Sequence, residues 1–96
     1  MPILFCSLEL FLPYSHSLKD KRRVMRGTAD RLRSRFNFSI SEIGYQELWQ
    51  RGRLGAVSIG PDRMTLERLA DQFRRECERT LGGELVEFSV QMIEFE

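Results

Sequence analysis

Apolar positions dominate the first predicted strand, Ile3–Leu12, on both of its faces. Successive side chains of a strand point to opposite faces. One face is wholly apolar, with Leu4, Cys6, Leu8, Leu10 and Leu12, and the other is mostly apolar, with Ile3, Phe5, Ser7, Glu9 and Phe11. A strand that is apolar on both faces belongs in the middle of a sheet. Pro13 ends it, because proline cannot donate to a strand ladder.

A helix-start signal follows at Ser17, where Asp20 three residues later completes a capping box with aspartate in place of glutamate. Apolar residues then recur at helical spacing, at Leu18, Met25, Ala29, Leu32 and Phe36. This pattern predicts an amphipathic helix that runs to Phe36 and packs its apolar stripe on the sheet.

The central part of the chain alternates between polar and apolar residues. Asn37–Ser41 predicts a half-buried strand, and Arg53–Ile59 predicts a third strand. The segment between them, Glu42–Gly52, fits two structures: a strand continued through a bulge at Gly44, or a long hairpin connection.

Pro61 and Asp62 mark the start of a second helix, with Pro61 near the first helical position and Asp62 in the first turn. Its apolar face comprises Leu66, Leu69, Ala70, Phe73, Cys77 and Leu81, and Gly82–Gly83 ends it. A last strand alternates inward and outward positions, and its charged outer residues fit a sheet edge. Val86, Phe88, Val90 and Met92 are its predicted inward residues.

The predicted order is therefore β-α-β-β-α-β, the ferredoxin-like pattern of the α+β class. We expect one domain over residues 1–96, a sandwich of a four-stranded antiparallel sheet with two helices on one face. The first and third strands should be central.

Composition narrows the chemistry. With His16 as the only histidine and Cys6 and Cys77 among apolar residues, the sequence predicts no catalytic set, no metal site and no cofactor. Acylphosphatases share this topology and size, but they need a glycine-rich loop and an arginine after the first strand. Residues 12–17 contain neither, so we expect a protein that is not an enzyme. No stretch suits a membrane span or signal peptide, which favours a cytoplasmic location.

Positive charge is concentrated in the first helix. Residues 15–35 carry eight lysines and arginines against two aspartates, a net charge of +6 in a chain whose total is +1. At 100° per residue, five of these cations share one flank of the apolar stripe. The residues predicted to contact nucleic-acid phosphates are these five and two serines at the helix start: Ser15, Ser17, Lys19, Arg22, Arg23, Arg26 and Arg33. A solvated surface that pairs with acidic residues is the alternative.

The second sheet face looks too apolar to meet water alone, and an oligomer interface would explain it. Phe5 and Phe11 on that face, and Trp49 in the central segment, are the predicted partner-binding residues. RNA-recognition domains of this topology stack bases on aromatic residues of their central strands. The third strand has no aromatic residue, so this mode of RNA binding is not expected.

Two stretches resemble the YlxP-like proteins, a bacterial family of uncharacterised function. The first is Leu8–Arg22, and the second is Asn37–Ile43 followed by Leu48–Arg51. The resemblance implies a ferredoxin-like fold. Genes of this family often lie among those for transcription and translation factors, which implies a role near the ribosome or its RNA. It implies no catalytic residues.

Two functional hypotheses result. The first is a small binding module whose partner is RNA or a ribosome-associated protein, contacted through the basic first helix. The second is a protein-interaction module that forms homo-oligomers through the apolar sheet face and the Trp49 segment.

Overall fold

The computed structural model describes all 96 residues, Met1–Glu96. In chain order the elements are β1 (Pro2–Phe11), α1 (Leu18–Arg35), β2 (Ser39–Gly44), β3 (Arg51–Ile59), α2 (Arg63–Leu81), a 3-10 turn (Gly82–Glu84) and β4 (Leu85–Glu94). The strands form one antiparallel sheet in the order β2-β3-β1-β4. This confirms the ferredoxin-like prediction, with β1 and β3 at the centre.

The hydrophobic core lies between the helices and one face of the sheet. The β1 residues predicted for the wholly apolar face have no exposed surface. They pack with Met25, Ala29 and Leu32 of α1 and with the apolar stripe of α2. Phe38 and Phe73 stack near the centre with ring centroids 4.3 Å apart. Burial of this apolar surface is the main force that holds the helices on the sheet.

The helix starts follow from their capping residues. The Oγ of Ser17 accepts a hydrogen bond from the Asp20 N–H at 3.0 Å, as predicted. Asp62 is the cap of α2 rather than a residue of its first turn, because its carboxylate accepts from the Thr65 N–H at 2.8 Å. These bonds lower the pKa of Asp62. Gly82 ends α2 with φ at +53°, a conformation that glycine adopts without strain.

The edge strand β4 departs from its predicted burial. Phe88 and Met92 pack against the core, but Val86 and Val90 are exposed, at 57% and 45%. The pairing with β1 shifts register between Glu9 and Leu10, so Val86 lies in the irregular part of the strand. An edge strand is covered on one side only, which leaves Val90 in contact with solvent.

The ambiguous segment contains both predicted features. β2 continues to Gly44 through a register shift after Glu42, and residues 45–50 then form the connection to β3. Tyr45 begins this connection with φ at +58°, a left-handed conformation that is uncommon for a residue other than glycine.

Lys21 of α1 is completely buried and holds this connection in place. Its Nζ donates to the Tyr45 carbonyl at 2.6 Å and lies 2.7 Å from Oε2 of Glu42. Gly52 makes room for Met25 beside the lysine, because a Cβ at that position would overlap the end of Met25, whereas it would only touch Cε of Lys21 at 3.4 Å. A buried charge without partners is costly, so these contacts fix α1 on the β2–β3 hairpin.

We expect Lys21→Met to lower the free energy of unfolding by about 2–3 kcal/mol, measured by urea denaturation. The change keeps the apolar stem but leaves Glu42 and the Tyr45 carbonyl without their donor, and Glu42 retains some contact with water. Lys19→Met, which removes an exposed lysine of the same helix, should change stability by about 0.5 kcal/mol or less. Equal effects of the two substitutions would contradict this role.

Candidate nucleic-acid interface

The basic flank of α1 faces the β2 edge of the sheet. Arg22, Arg26 and Arg33 line a groove of about 330 Å³ between α1 and β2, and its floor includes Met25 and Ile40. A second hollow along the helix brings four cations beside Asp20: Lys19, Arg22, Arg23 and Arg26. The structure therefore brings together the five basic residues that helical spacing placed on one flank.

These five cations differ in their partners. Arg33 pairs with Asp30 and also donates to the Ile40 carbonyl at 3.0 Å. Arg23 lies 3.4 Å from Asp20 with most of its side chain in solvent. Lys19, Arg22 and Arg26 are exposed and form no ion pair or hydrogen bond. The unneutralised charge of the flank is therefore centred on these three residues.

The two serines at the helix start are placed differently from each other. Ser15 is 1% exposed, and its hydroxyl donates to the Ser17 carbonyl at 3.3 Å. Ser17 is only half-buried, and its Oγ caps the helix. The hydroxyl of Ser15 is thus withdrawn from the surface, which disfavours the phosphate contact predicted for it. Ser17 remains beside Lys19 at the helix start.

The open face of the sheet carries an apolar patch at one end. Strand pairing brings Ile3 beside Ile59 and Ile93, and Phe5 beside Val57. Phe5 is half-buried, and its ring and the Ile43 side chain lie close to Gly55. A Cβ at Gly55 would be 3.3 Å from the Phe5 ring and 3.0 Å from Ile43. We call the set of apolar side chains at this end the open-face patch: Ile3, Phe5, Ile43, Val57, Ile59 and Ile93.

The three predicted partner-binding residues do not form one site. Phe11 is on the same face as Phe5 but six residues further along β1, about 20 Å at the rise of a strand. Trp49 is in the loop between β2 and β3 and is 53% exposed. Phe5 belongs to the open-face patch, whereas Phe11 and Trp49 lie outside it.

A cluster of charged residues separates Phe5 from Phe11 on this face. Glu9 is 5% exposed and accepts hydrogen bonds from the guanidinium of Arg51, from Arg53 at 3.0 Å and from the Tyr45 hydroxyl at 3.4 Å. The Arg51 guanidinium also lies 4.6 Å from the centre of the Tyr45 ring. The hydrogen bond from Arg51 lowers the pKa of Glu9 below its ordinary value of 4.5.

The role of this cluster is not evident from the sequence, in which Glu9 is only a polar position on the second face of β1. Its partner Arg53 is directly opposite in the β1–β3 register. Opposite charges that face each other on neighbouring strands indicate an ion pair, but they can be matched only when the strand register is known.

The Trp49 loop is tied to the connection between β1 and α1. The Leu12 N–H donates to the Gln50 carbonyl at 2.8 Å. The Gln50 side-chain amide donates to the carbonyls of Pro13 at 3.0 Å and Ser15 at 3.3 Å. The loop backbone is therefore held while the Trp49 ring stays exposed.

The remaining candidate chemical groups are dispersed. Both cysteines are buried, as predicted, and burial raises the pKa of Cys6 to about 11 and that of Cys77 to about 12. Both thiols are therefore protonated at neutral pH, and a protonated thiol is a poor nucleophile. His16 is exposed in the connection before α1. Neither helix is long and apolar enough to cross a membrane.

The fold and its surfaces define a ferredoxin-like protein with a basic first helix. Residues 3–90 match the family described as "Protein of unknown function (DUF503)", and the chain belongs to that family. Over 64 residues it is 39% identical to "Uncharacterized protein YlxP" of Bacillus subtilis (strain 168). These matched residues make up 67% of this chain and 70% of that protein. The resemblance to the YlxP-like family is confirmed.

We expect Glu9→Gln to lower the melting temperature at pH 7 and to have a smaller effect below about pH 4. Because the folded-state pKa of Glu9 is lowered, its ionised form stabilises the fold above its ordinary pKa of 4.5. That stabilisation is lost as the pH falls through the folded-state pKa. Thermal melts at a series of pH values would measure this, with Glu47→Gln, at an exposed residue, as the control. If Glu9→Gln lowered the melting temperature by the same amount at every pH, the ionic role of Glu9 would be contradicted.

Proposed function

We propose that this protein is a small, non-enzymatic module that binds RNA through the α1 flank and acts in association with the ribosome or its RNA. The observation that carries the proposal is the group of unpaired cations at Lys19, Arg22 and Arg26. Phosphate oxygens are the natural partners of such groups, and phosphate contacts supply most of the affinity of non-specific nucleic-acid binding.

The contrast with α2 supports this proposal over a merely solvated surface. On α2, exposed arginines alternate with acidic residues, and Arg63 pairs with Glu67 as Arg79 does with Glu76. The α1 flank lacks this balance. The burial of Lys21 also fixes the helix about its own axis, so the free cations face outward in a constant orientation.

The non-enzymatic part of the proposal rests on the dispersed chemical groups. His16 is exposed at the surface, whereas the protonated thiols of Cys6 and Cys77 are buried in the core. The ribosomal setting rests on the gene neighbourhood that the family resemblance implies. These two supports are independent of the cationic flank.

We expect the logarithm of the affinity for single-stranded RNA to fall with the logarithm of salt concentration at a slope of about −2 to −3.5. The limits correspond to three and five phosphate contacts at about 0.7 for each contact. Fluorescence anisotropy with a labelled oligoribonucleotide at several salt concentrations would measure the slope. Affinity that does not respond to salt would contradict phosphate binding.

The double substitution Arg22→Glu with Arg26→Glu should weaken RNA binding by at least about tenfold, since each change removes an attraction and adds a repulsion. A matched control is Arg68→Glu with Arg75→Glu, which makes the same charge change on the exposed face of α2. Equal losses in the two variants would show that only net charge matters and would count against the α1 flank.

A second candidate function is self-assembly through the open-face patch, as in the homo-oligomer hypothesis. Val57 and Ile59 are 40% and 55% exposed, and they adjoin Ile3, Phe5 and Ile93 on the neighbouring strands. Contiguous exposed apolar surface is typical of protein interfaces. The partner that this candidate specifies is a second copy of the chain.

Sedimentation equilibrium at micromolar concentrations should then detect a dimer that Ile59→Lys dissociates, because a lysine would be buried unpaired in the interface. Met64→Lys, at another exposed apolar residue outside the patch, should leave the dimer intact. A monomer at all concentrations would exclude self-assembly without affecting the RNA proposal.

A further inference from the structure

A second group of cations lies on the opposite flank of α1, where the helix faces α2. Thr28, Arg31 and Arg35 of α1 meet Glu76, Arg79 and Thr80 of α2 across a groove of about 350 Å³. This volume is near the lower end of the range for small-molecule sites. Only two of the eight lining residues are hydrophobic, so the groove suits a charged ligand rather than an apolar one.

Glu76 positions two of the three arginines. Its Oε2 accepts hydrogen bonds from Arg35 at 2.6 Å, from Arg79 at 2.6 Å and from the Thr80 hydroxyl at 2.8 Å. The bonds from Arg79 and Thr80, with the charge of Arg35, lower the pKa of Glu76, which therefore remains ionised at neutral pH. Arg35 and Arg79 belong to different helices, and this one carboxylate holds both guanidiniums beside the groove.

Most donors of the three arginines remain free for a ligand. A guanidinium has five N–H donors. Arg35 uses one of its nitrogens on Glu76, and Arg79 uses two. Arg31 makes only a long contact of 3.4 Å with the hydroxyl of Thr28, a side chain buried under the groove. Together with Glu76, the three arginines give the groove a net charge of +2.

The geometry points to this groove as a binding site for a phosphate monoester, separate from the α1 flank that faces β2. A phosphate monoester carries a charge of about −1.5 to −2 at pH 7 and presents three strong acceptor oxygens. Both properties match three guanidiniums with one carboxylate, because arginine binds phosphate through paired hydrogen bonds. A phosphodiester has a single negative charge and only two unbridged oxygens, so it matches the groove less well.

The surroundings indicate which monoester fits. The groove adjoins a broader hollow that shares Thr28, Arg31 and Thr80 and is bordered by Tyr14, with Arg23 and Glu84 also in its lining. Tyr14 is 48% exposed and provides an aromatic surface of the kind on which nucleobases stack. The ligand class is therefore a nucleotide 5′-phosphate, supplied either by a free nucleotide or by the 5′ end of an RNA strand.

Calorimetric titration of the full chain with three probes would test the site: AMP, a 5′-phosphorylated hexaribonucleotide, and the same hexamer with a 5′-hydroxyl. We expect the phosphorylated hexamer to bind at least about tenfold tighter than the hydroxyl form if RNA ends are the source, since charge-assisted hydrogen bonds contribute at this level. Binding of AMP without that difference would identify a free nucleotide as the ligand. Absence of both effects would overturn the proposal.

Arg31→Ala should remove the AMP binding or the 5′-phosphate preference, whichever is observed. Arg75→Ala makes the same charge change on α2 outside the groove and should preserve the AMP binding or the 5′-phosphate preference. Equal losses in these two exposed-site variants would overturn the proposal. The variant Arg22→Glu with Arg26→Glu should retain the effect, so a failure of RNA binding by the α1 flank and a failure of this site give different results.

Discussion

The placement of α1 depends on the buried ion pair between Lys21 and Glu42. A lysine with no exposed surface needs its partners, and both the carboxylate of Glu42 and the carbonyl of Tyr45 come from the β2–β3 hairpin. The pair therefore sets the rotation of α1 about its axis. Once that rotation is set, Arg22 and Arg26 face the β2 side and Arg31 and Arg35 face α2. The two cationic surfaces of one helix therefore depend on the same contact, and its acidic partner Glu42 also lines the groove on the β2 side.

The fold was predictable because its signals are local or periodic. The double-sided apolar pattern of β1 predicted a central strand, and Ser17 predicted the helix cap that the structure shows. The buried position of Lys21 also follows from this periodicity. It lies three residues after Leu18 and four before Met25, which places it on the apolar stripe rather than with the surface cations. Its charge, however, suggests a surface position, so the sequence alone groups Lys21 with the surface cations.

The rest of the candidate site could not be predicted, because it depends on contacts between distant parts of the chain. The Glu9 cluster requires the β1–β3 register, and that register depends on where the 42–52 segment stops being strand. The burial of Ser15 requires the Trp49 loop to lie against the β1–α1 connection, where Gln50 reaches the Ser15 carbonyl. The α1–α2 groove requires the relative placement of two helices whose charges, taken separately, look like ordinary surface charges.

The hydrogen bonds of Gln50 join the Trp49 loop to the connection between β1 and α1. A partner that drew this loop away from the protein would break the bonds to Pro13 and Ser15 and would leave the buried Leu12 without an acceptor for its N–H. The displacement would therefore cost free energy in the connection as well as in the loop. By thermodynamic reciprocity, a ligand that stabilised the connection would oppose that displacement to the same degree. Trp49 and the β1–α1 connection are therefore energetically linked although they belong to different segments of the chain.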